Sequence, residues 1–129
     1  MESSFQGQTY NLASYVQRWG SKAIFAGGHL PVPSLFLKHY AQLDPPLNTG
    51  EAMFVLQLMN FKWGRDAPFP AYRTIAERMG ITAKMARNHA RNLEEKNYLC
   101  RQEHTGFTTH FDLTPLLRVL ARRAQKARL

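Results

Sequence analysis

Lys84, Arg87, Asn88 and Arg91 recur at i, i+3, i+4 and i+7, the spacing that gathers side chains onto one face of a helix. Three cations and an amide in one row suit the reading of nucleic acid rather than bond-making chemistry. An Asn pairs bidentately with adenine, an Arg with guanine, and a Lys meets guanine or a phosphate. Ala86, Ala90 and Leu93 fall on another side of the same helix, where two small residues let a neighbouring helix come close. The competing account of the row is an ordinary solvated basic face, so its meaning depends on the elements around it.

Those elements follow a definite order. After Pro70, residues Tyr72, Ile75, Ala76 and Met79 make one apolar face of a short helix that stops at Gly80, a residue free to take the left-handed conformation that closes a helix. Thr82 is placed to cap the next helix, and Asn97 to end it with a second left-handed residue. Tyr98 to His104 and Phe107 to Leu113 then read as two strands around a Thr105-Gly106 turn. In the second strand Phe107, Thr109, Phe111 and Leu113 alternate with Thr108, His110 and Asp112. Helix, short turn, helix and hairpin make a winged helix-turn-helix, which lays its second helix in the major groove of double-stranded DNA. The expected contacts are Arg73, Thr82, Lys84, Arg87, Asn88 and Arg91 from the helices. From the wing come Arg101, His104, Thr105, Thr108 and His110, residue types that meet sugar and phosphate.

The charge is distributed to match. Of the net +8 carried by 129 residues, residues 1–64 hold four Lys/Arg against three Asp/Glu, and residues 65–129 hold thirteen against six. The half with the helix-turn-helix therefore carries +7, which favours a polyanionic partner. A generally basic protein kept soluble by charge would explain the sum but not its location. The length fits one domain with a real core and leaves no room for a second full one. The single Cys100 cannot form an internal disulfide, which suits a reducing cytoplasm. The sequence has no signal-peptide pattern and no run of eighteen apolar residues, so no membrane role is expected.

Elsewhere, Asn48-Thr49-Gly50-Glu51 reads as a capped start. The helix that follows, with Ala52, Met53, Phe54, Val55, Leu56, Leu58, Met59, Phe61 and Trp63, is apolar nearly all round and so must be central. A leading helix through Leu35, Phe36, Tyr40 and Leu43 follows Pro31 and Pro33 and ends at Asp44-Pro45-Pro46. In residues 1–30, an arm rich in aromatic residues, Leu12, Tyr15, Val16 and Trp19 fit a short helix, and Ala23 to Ala26 fits a strand before Gly27-Gly28. The arm packs either on its own core or on a partner subunit. Residues 31–114 form the main domain. In 115–129, Thr114 and Pro115 open a basic helix with Leu116, Leu117, Leu120, Ala121 and Ala124 inward and Arg118, Arg122, Arg123, Lys126 and Arg128 outward. This tail is a solvated end, a dimer contact or a phosphate contact. The expected fold class is mainly α with one small β-hairpin.

No catalytic set can be assembled. His29, His39, His89, His104 and His110 lack metal-ligand spacing, Gly27-Gly28 lacks the Lys-Ser/Thr of a phosphate loop, and Glu94 and Glu95 do not make a two-carboxylate site. His89 reads as a half-buried packing residue. Neither an enzyme nor a cofactor or metal is expected.

The run FPAYRTIAERMGITAKMARNHARNLEEKNYL resembles the helix-turn-helix of bacterial winged-helix proteins, including GntR-like and MarR-like regulators. HLPVPSLFLKHYAQL followed by NTGEAMFVLQLMNFKWGRDAPFP is similar to the N-terminal domain of DnaD-like primosome proteins and of plasmid or phage replication initiators, the resemblance covering about residues 29–113. It implies a bacterial, plasmid or phage origin and a role in replication initiation or transcription control, with replication proteins as partners. In DnaD-like proteins this domain is associated with self-assembly, and a separate C-terminal domain, without counterpart in these residues, carries much of the DNA binding. Two expectations follow: a homodimeric binder of double-stranded DNA, or an oligomerisation module of a replication complex with little DNA binding of its own.

Overall fold

The computed structural model describes residues 2–5, 8–62, 67–104 and 108–127. They form two compact units, one up to Pro31 and one from Val32 onward. Trp63, Thr105, Gly106, Phe107 and Arg128 lie outside the described residues.

In the first unit, strands β1 (Glu2–Phe5) and β2 (Gln8–Asn11) pair antiparallel, with Glu2 opposite Asn11 and Phe5 opposite Gln8. This hairpin was not expected. The short helix was, and α1 spans Leu12–Trp19. The strand expected over 23–26 is instead a 3-10 turn, Lys22–Phe25. Ser21 accepts the Ala23 N–H at 3.2 Å, and the Ala26 N–H returns to the Ala23 carbonyl at 3.2 Å. Local bonds of this kind satisfy the backbone without a neighbouring strand.

In the second unit, α2 (Ser34–His39) follows Pro33 and passes into a 3-10 turn, Tyr40–Gln42. It is shorter than its apolar stripe implied, yet Leu43 and Leu47 beyond it are still buried. The central helix α3 (Thr49–Asn60) opens with the reciprocal cap: Asn48 Oδ1 accepts the Glu51 N–H at 2.8 Å and Glu51 Oε1 accepts the Asn48 N–H at 3.0 Å. Glu51 is 1% exposed. Its carboxylate also receives Lys96 Nζ at 2.6 Å, and Lys96 donates to the Pro46 carbonyl at 2.8 Å. A carboxylate buried this deeply is stable only with such donors. Phe54, Val55 and Leu58 are fully buried, whereas Met53 is exposed.

Helices α4 (Tyr72–Met79) and α5 (Ala83–Glu95) pack on α3 through Ile75, Ala76, Ala86, Ala90 and Leu93. Strands β3 (Cys100–His104) and β4 (Thr108–Asp112) pair antiparallel, with Cys100 opposite Asp112 and His104 opposite Thr108. β3 begins two residues later than expected, after Tyr98 and Leu99, both of which are buried in the core. Tyr98 N–H donates to Leu93 carbonyl at 3.0 Å, and the Tyr98 carbonyl accepts Leu116 N–H at 3.2 Å, which ties this segment to helices on both sides. At the centre, Phe111 stands edge-on to Phe54 and to Tyr72, with ring centroids 6.0 Å and 5.4 Å away.

Helix α6 (Thr114–Ala127) differs from expectation at three positions. At its start the Asp112 carboxylate accepts the Thr114 N–H at 2.9 Å. The bonds from Thr114 hold that carboxyl below its ordinary range. Leu117 and Ala121 are exposed rather than inward, and Arg123 is turned in, with Nε donating to His39 Nδ1 at 3.0 Å. A helix that docks on one side buries an arc centred on Leu116 and Leu120, and residue 123 falls on that arc whereas 117 and 121 lie about 100° from it.

Candidate nucleic-acid interface

The α4–α5 turn follows from its residues. Gly80 sits at φ 68° and ψ 34° with its N–H returned to the Ala76 and Glu77 carbonyls, a left-handed position that costs a side-chain-bearing residue about 1–2 kcal/mol. Thr82 caps α5 by accepting the Met85 N–H at 3.1 Å, and Asn97 ends the segment at φ 64°. Behind α5, His89 is half-buried against Phe54. A Cβ on Gly50 would come within 2.5 Å of its ring, so the glycine lets α5 seat this closely on α3.

Seated in this way, α5 turns its row outward. Lys84, Arg87 and Arg91 are exposed and Asn88 is half-buried. Among the described residues, no carboxylate lies within ion-pair distance of these three cations. The Asn88 side-chain carbonyl accepts a hydrogen bond from Arg91 Nη2, and the Arg87 guanidinium lies 5.7 Å from the centre of the Tyr72 ring.

The other expected contacts divide. Arg73 is exposed beside Glu77, its Nε 3.3 Å from the carboxylate. Arg101 is tied inward: Nη2 lies 2.8 Å from Glu94 Oε1, Nε 3.3 Å from Oε2, and Nη1 donates to the Tyr72 hydroxyl at 3.1 Å. The hydrogen bond from Arg101 holds the Glu94 carboxyl below its ordinary range, and the same bond raises the Arg101 guanidinium above its own. With every guanidinium nitrogen engaged, Arg101 braces the hairpin against α5. Thr108 and His110 are half-buried in β4. Thr105 and the His104 side chain lie outside what is described.

Between α5 and β4 runs a groove of about 340 Å³ lined by Phe69, Tyr72, Arg73, Arg87, Thr108 and Thr109. It brings three expected residues together, Arg73, Arg87 and Thr108, and adds Phe69, which sequence reasoning passed over. Phe69 stacks on His110 with centroids 5.0 Å apart and is 61% exposed. The available signal was an aromatic residue held between Pro68 and Pro70. Lys96 was also missed, because a lysine near a helix end ordinarily reads as solvated. On α6, Arg118, Arg122 and Lys126 are exposed. Among the described residues, no group of His, Cys, Asp and Glu could hold a metal ion and no helix is long and apolar enough to cross a membrane.

YusO from Bacillus subtilis is similar over 91% of this chain and 79% of its own, at 23% sequence identity and a TM-score of 0.45. The crystal structure of the N-terminal domain of DnaD protein from Geobacillus kaustophilus HTA426 is similar over 90% of this chain and 97% of that one, at 30% identity and a TM-score of 0.62. No curated protein matches the chain. A family model for the DnaD N-terminal domain matches residues 32–128. This chain belongs to the DnaD N-terminal domain family.

Proposed function

We propose that this domain binds double-stranded DNA in replication initiation, with α5 in the major groove and the β3–β4 hairpin along the backbone. The observation that carries the reading is the row Lys84, Arg87 and Arg91, exposed and without carboxylate partners among the described residues. Thirteen residues make α5 about 20 Å long, and a major groove about 12 Å wide admits such a helix. Arg87 and Asn88 stand at the middle of the row and read base edges; Lys84 and Arg91, one turn to either side, hold phosphates. Reading adenine with both amide atoms is compatible with the Arg91 bond, because Asn88 Oδ1 has a second lone pair for the adenine amino group and Nδ2 can donate to the ring nitrogen. Thr82, Arg73, Thr108 and His110 border this surface, and a homodimer would present two such helices to related half-sites.

The test is a fluorescence-anisotropy titration on a duplex chosen by binding-site selection. Arg87→Ala with Asn88→Ala should abolish sequence preference. Failure of the wild-type chain to bind any duplex at about 50 mM salt, with self-association retained, would support the oligomerisation module instead. For the dimer, removal of residues 1–30 should convert a dimer to a monomer in sedimentation.

A further inference from the structure

The geometry points to a second nucleic-acid site: the groove beside Phe69 takes an unpaired nucleotide of single-stranded DNA. The inference is independent of α5 entering a duplex. A base inside a duplex has both faces covered by its neighbours, so an aromatic side chain can stack only on a base that is free of them. Phe69 offers such a platform. One face of its ring lies on His110, with an interplanar angle of 27°, and the residue as a whole is 61% exposed.

The platform is held in place before any ligand arrives. The Phe111 N–H donates to the Pro68 carbonyl at 2.8 Å, so the strand that carries His110 also anchors the residue preceding Phe69. Proline on either side limits the freedom of the segment. An apolar ring kept exposed by this much local ordering is a surface built for stacking, and every base has a π-face to meet it.

The rest of the groove matches the remaining parts of a nucleotide. Arg73 and Arg87 place two cations at its edge for phosphate oxygens, and the Thr108 and Thr109 side chains can donate to or accept from a base edge or sugar. Its volume of about 340 Å³ lies within the range of small-ligand sites, about 300–1,000 Å³. Arg73 shares its charge with Glu77 in an exposed i,i+4 pair, a weak partner that a phosphate can displace. Arg73, Arg87 and Thr108 belong to both nucleic-acid surfaces and are therefore left out of the test.

The experiment titrates the full chain against a labelled oligothymidylate of about twelve nucleotides and, in parallel, a labelled duplex. The wild type should bind the oligothymidylate. Phe69→Ala should weaken that binding by roughly fivefold to a hundredfold, Phe69→Trp should restore it, and the duplex affinity should be the same for all three. Because Phe69 is largely exposed, matching urea midpoints should show that both variants fold. The inference is overturned if the wild type does not bind the oligothymidylate, if Phe69→Ala binds it as the wild type does, if Phe69→Trp does not restore it, or if Phe69→Ala weakens duplex and single strand alike. Duplex binding without oligothymidylate binding leaves the α5 reading intact and removes this one, and the reverse pattern does the opposite.

Discussion

Just past its C-terminal end, α5 is followed by cations that each have an acid, whereas the cations along its outer face have none among the described residues. Lys96 reaches the buried Glu51 at 2.6 Å and Arg101 reaches Glu94 at 2.8 Å; Lys84, Arg87 and Arg91 point to solvent. A charge count gives all five the same weight. Partnering and burial separate cations that hold the hairpin and α3 in place from cations left available to an anionic ligand. The first group fixes where α5 sits, and the second is what α5 then presents.

The largest effect that could break this comparison is on stability. Lys96→Ala would strand a carboxylate that is 1% exposed and should cost about 3 kcal/mol in urea denaturation, whereas Lys84→Ala should change stability by no more than about 0.5 kcal/mol. Equal midpoints for the two variants would erase the distinction. Next comes Asn88→Ala, which should lose about 1–3 kcal/mol on a selected duplex and little on random DNA in anisotropy titrations.

A smaller effect sharpens the bracing role through pH. Bonds from Arg101 lower the Glu94 carboxyl from an ordinary value of 4.5, so the folded state favours the ionised form. The stabilisation is complete above that ordinary value and is lost as pH falls through the lower, folded value. Asp112, lowered from 3.8 by Thr114, has the same sign. Glu94→Gln should therefore be less stable than the wild type at neutral pH by at most about 1 kcal/mol, since the pair is partly solvated. Thermal melts of the two proteins should converge as the pH falls through the lowered Glu94 value. The smallest effects are expected on α6: Arg118→Ala and Arg122→Ala should weaken duplex binding uniformly across sequences, each reducing the salt slope by about 1, or leave it unchanged.

The helix-turn-helix was legible because its signals are local. A 3.6 period places Tyr72, Ile75, Ala76 and Met79, a glycine closes α4, and a threonine caps α5, all within a few residues of one another. The same holds for the Asn48–Glu51 cap. What escaped depends on residues far apart in the chain. Lys96 finds Glu51 across 45 positions and Arg123 finds His39 across 84, and no periodicity announces either. Segment 23–26 misled because its apolar residues fit a strand, while Ser21 and two local backbone bonds decide for a turn. Within the candidate interface, the α5 row could be read directly from spacing. The inward engagement of Arg101 and the groove at Phe69 required the hairpin to be placed beside α4 and α5.

The most direct measurement is the salt dependence of duplex affinity for the wild type and for Lys84→Ala/Arg87→Ala/Arg91→Ala. If five to seven phosphates are neutralised, log K against log salt for the wild type should slope about −4.5 to −6. Removing the two of those contacts made by Lys84 and Arg91 should make the slope shallower by about 1.8, while stability changes by only about 0.5 kcal/mol per site. No binding by the wild type at about 50 mM salt, or a slope identical in both proteins, would contradict the assignment of this face of α5 to DNA.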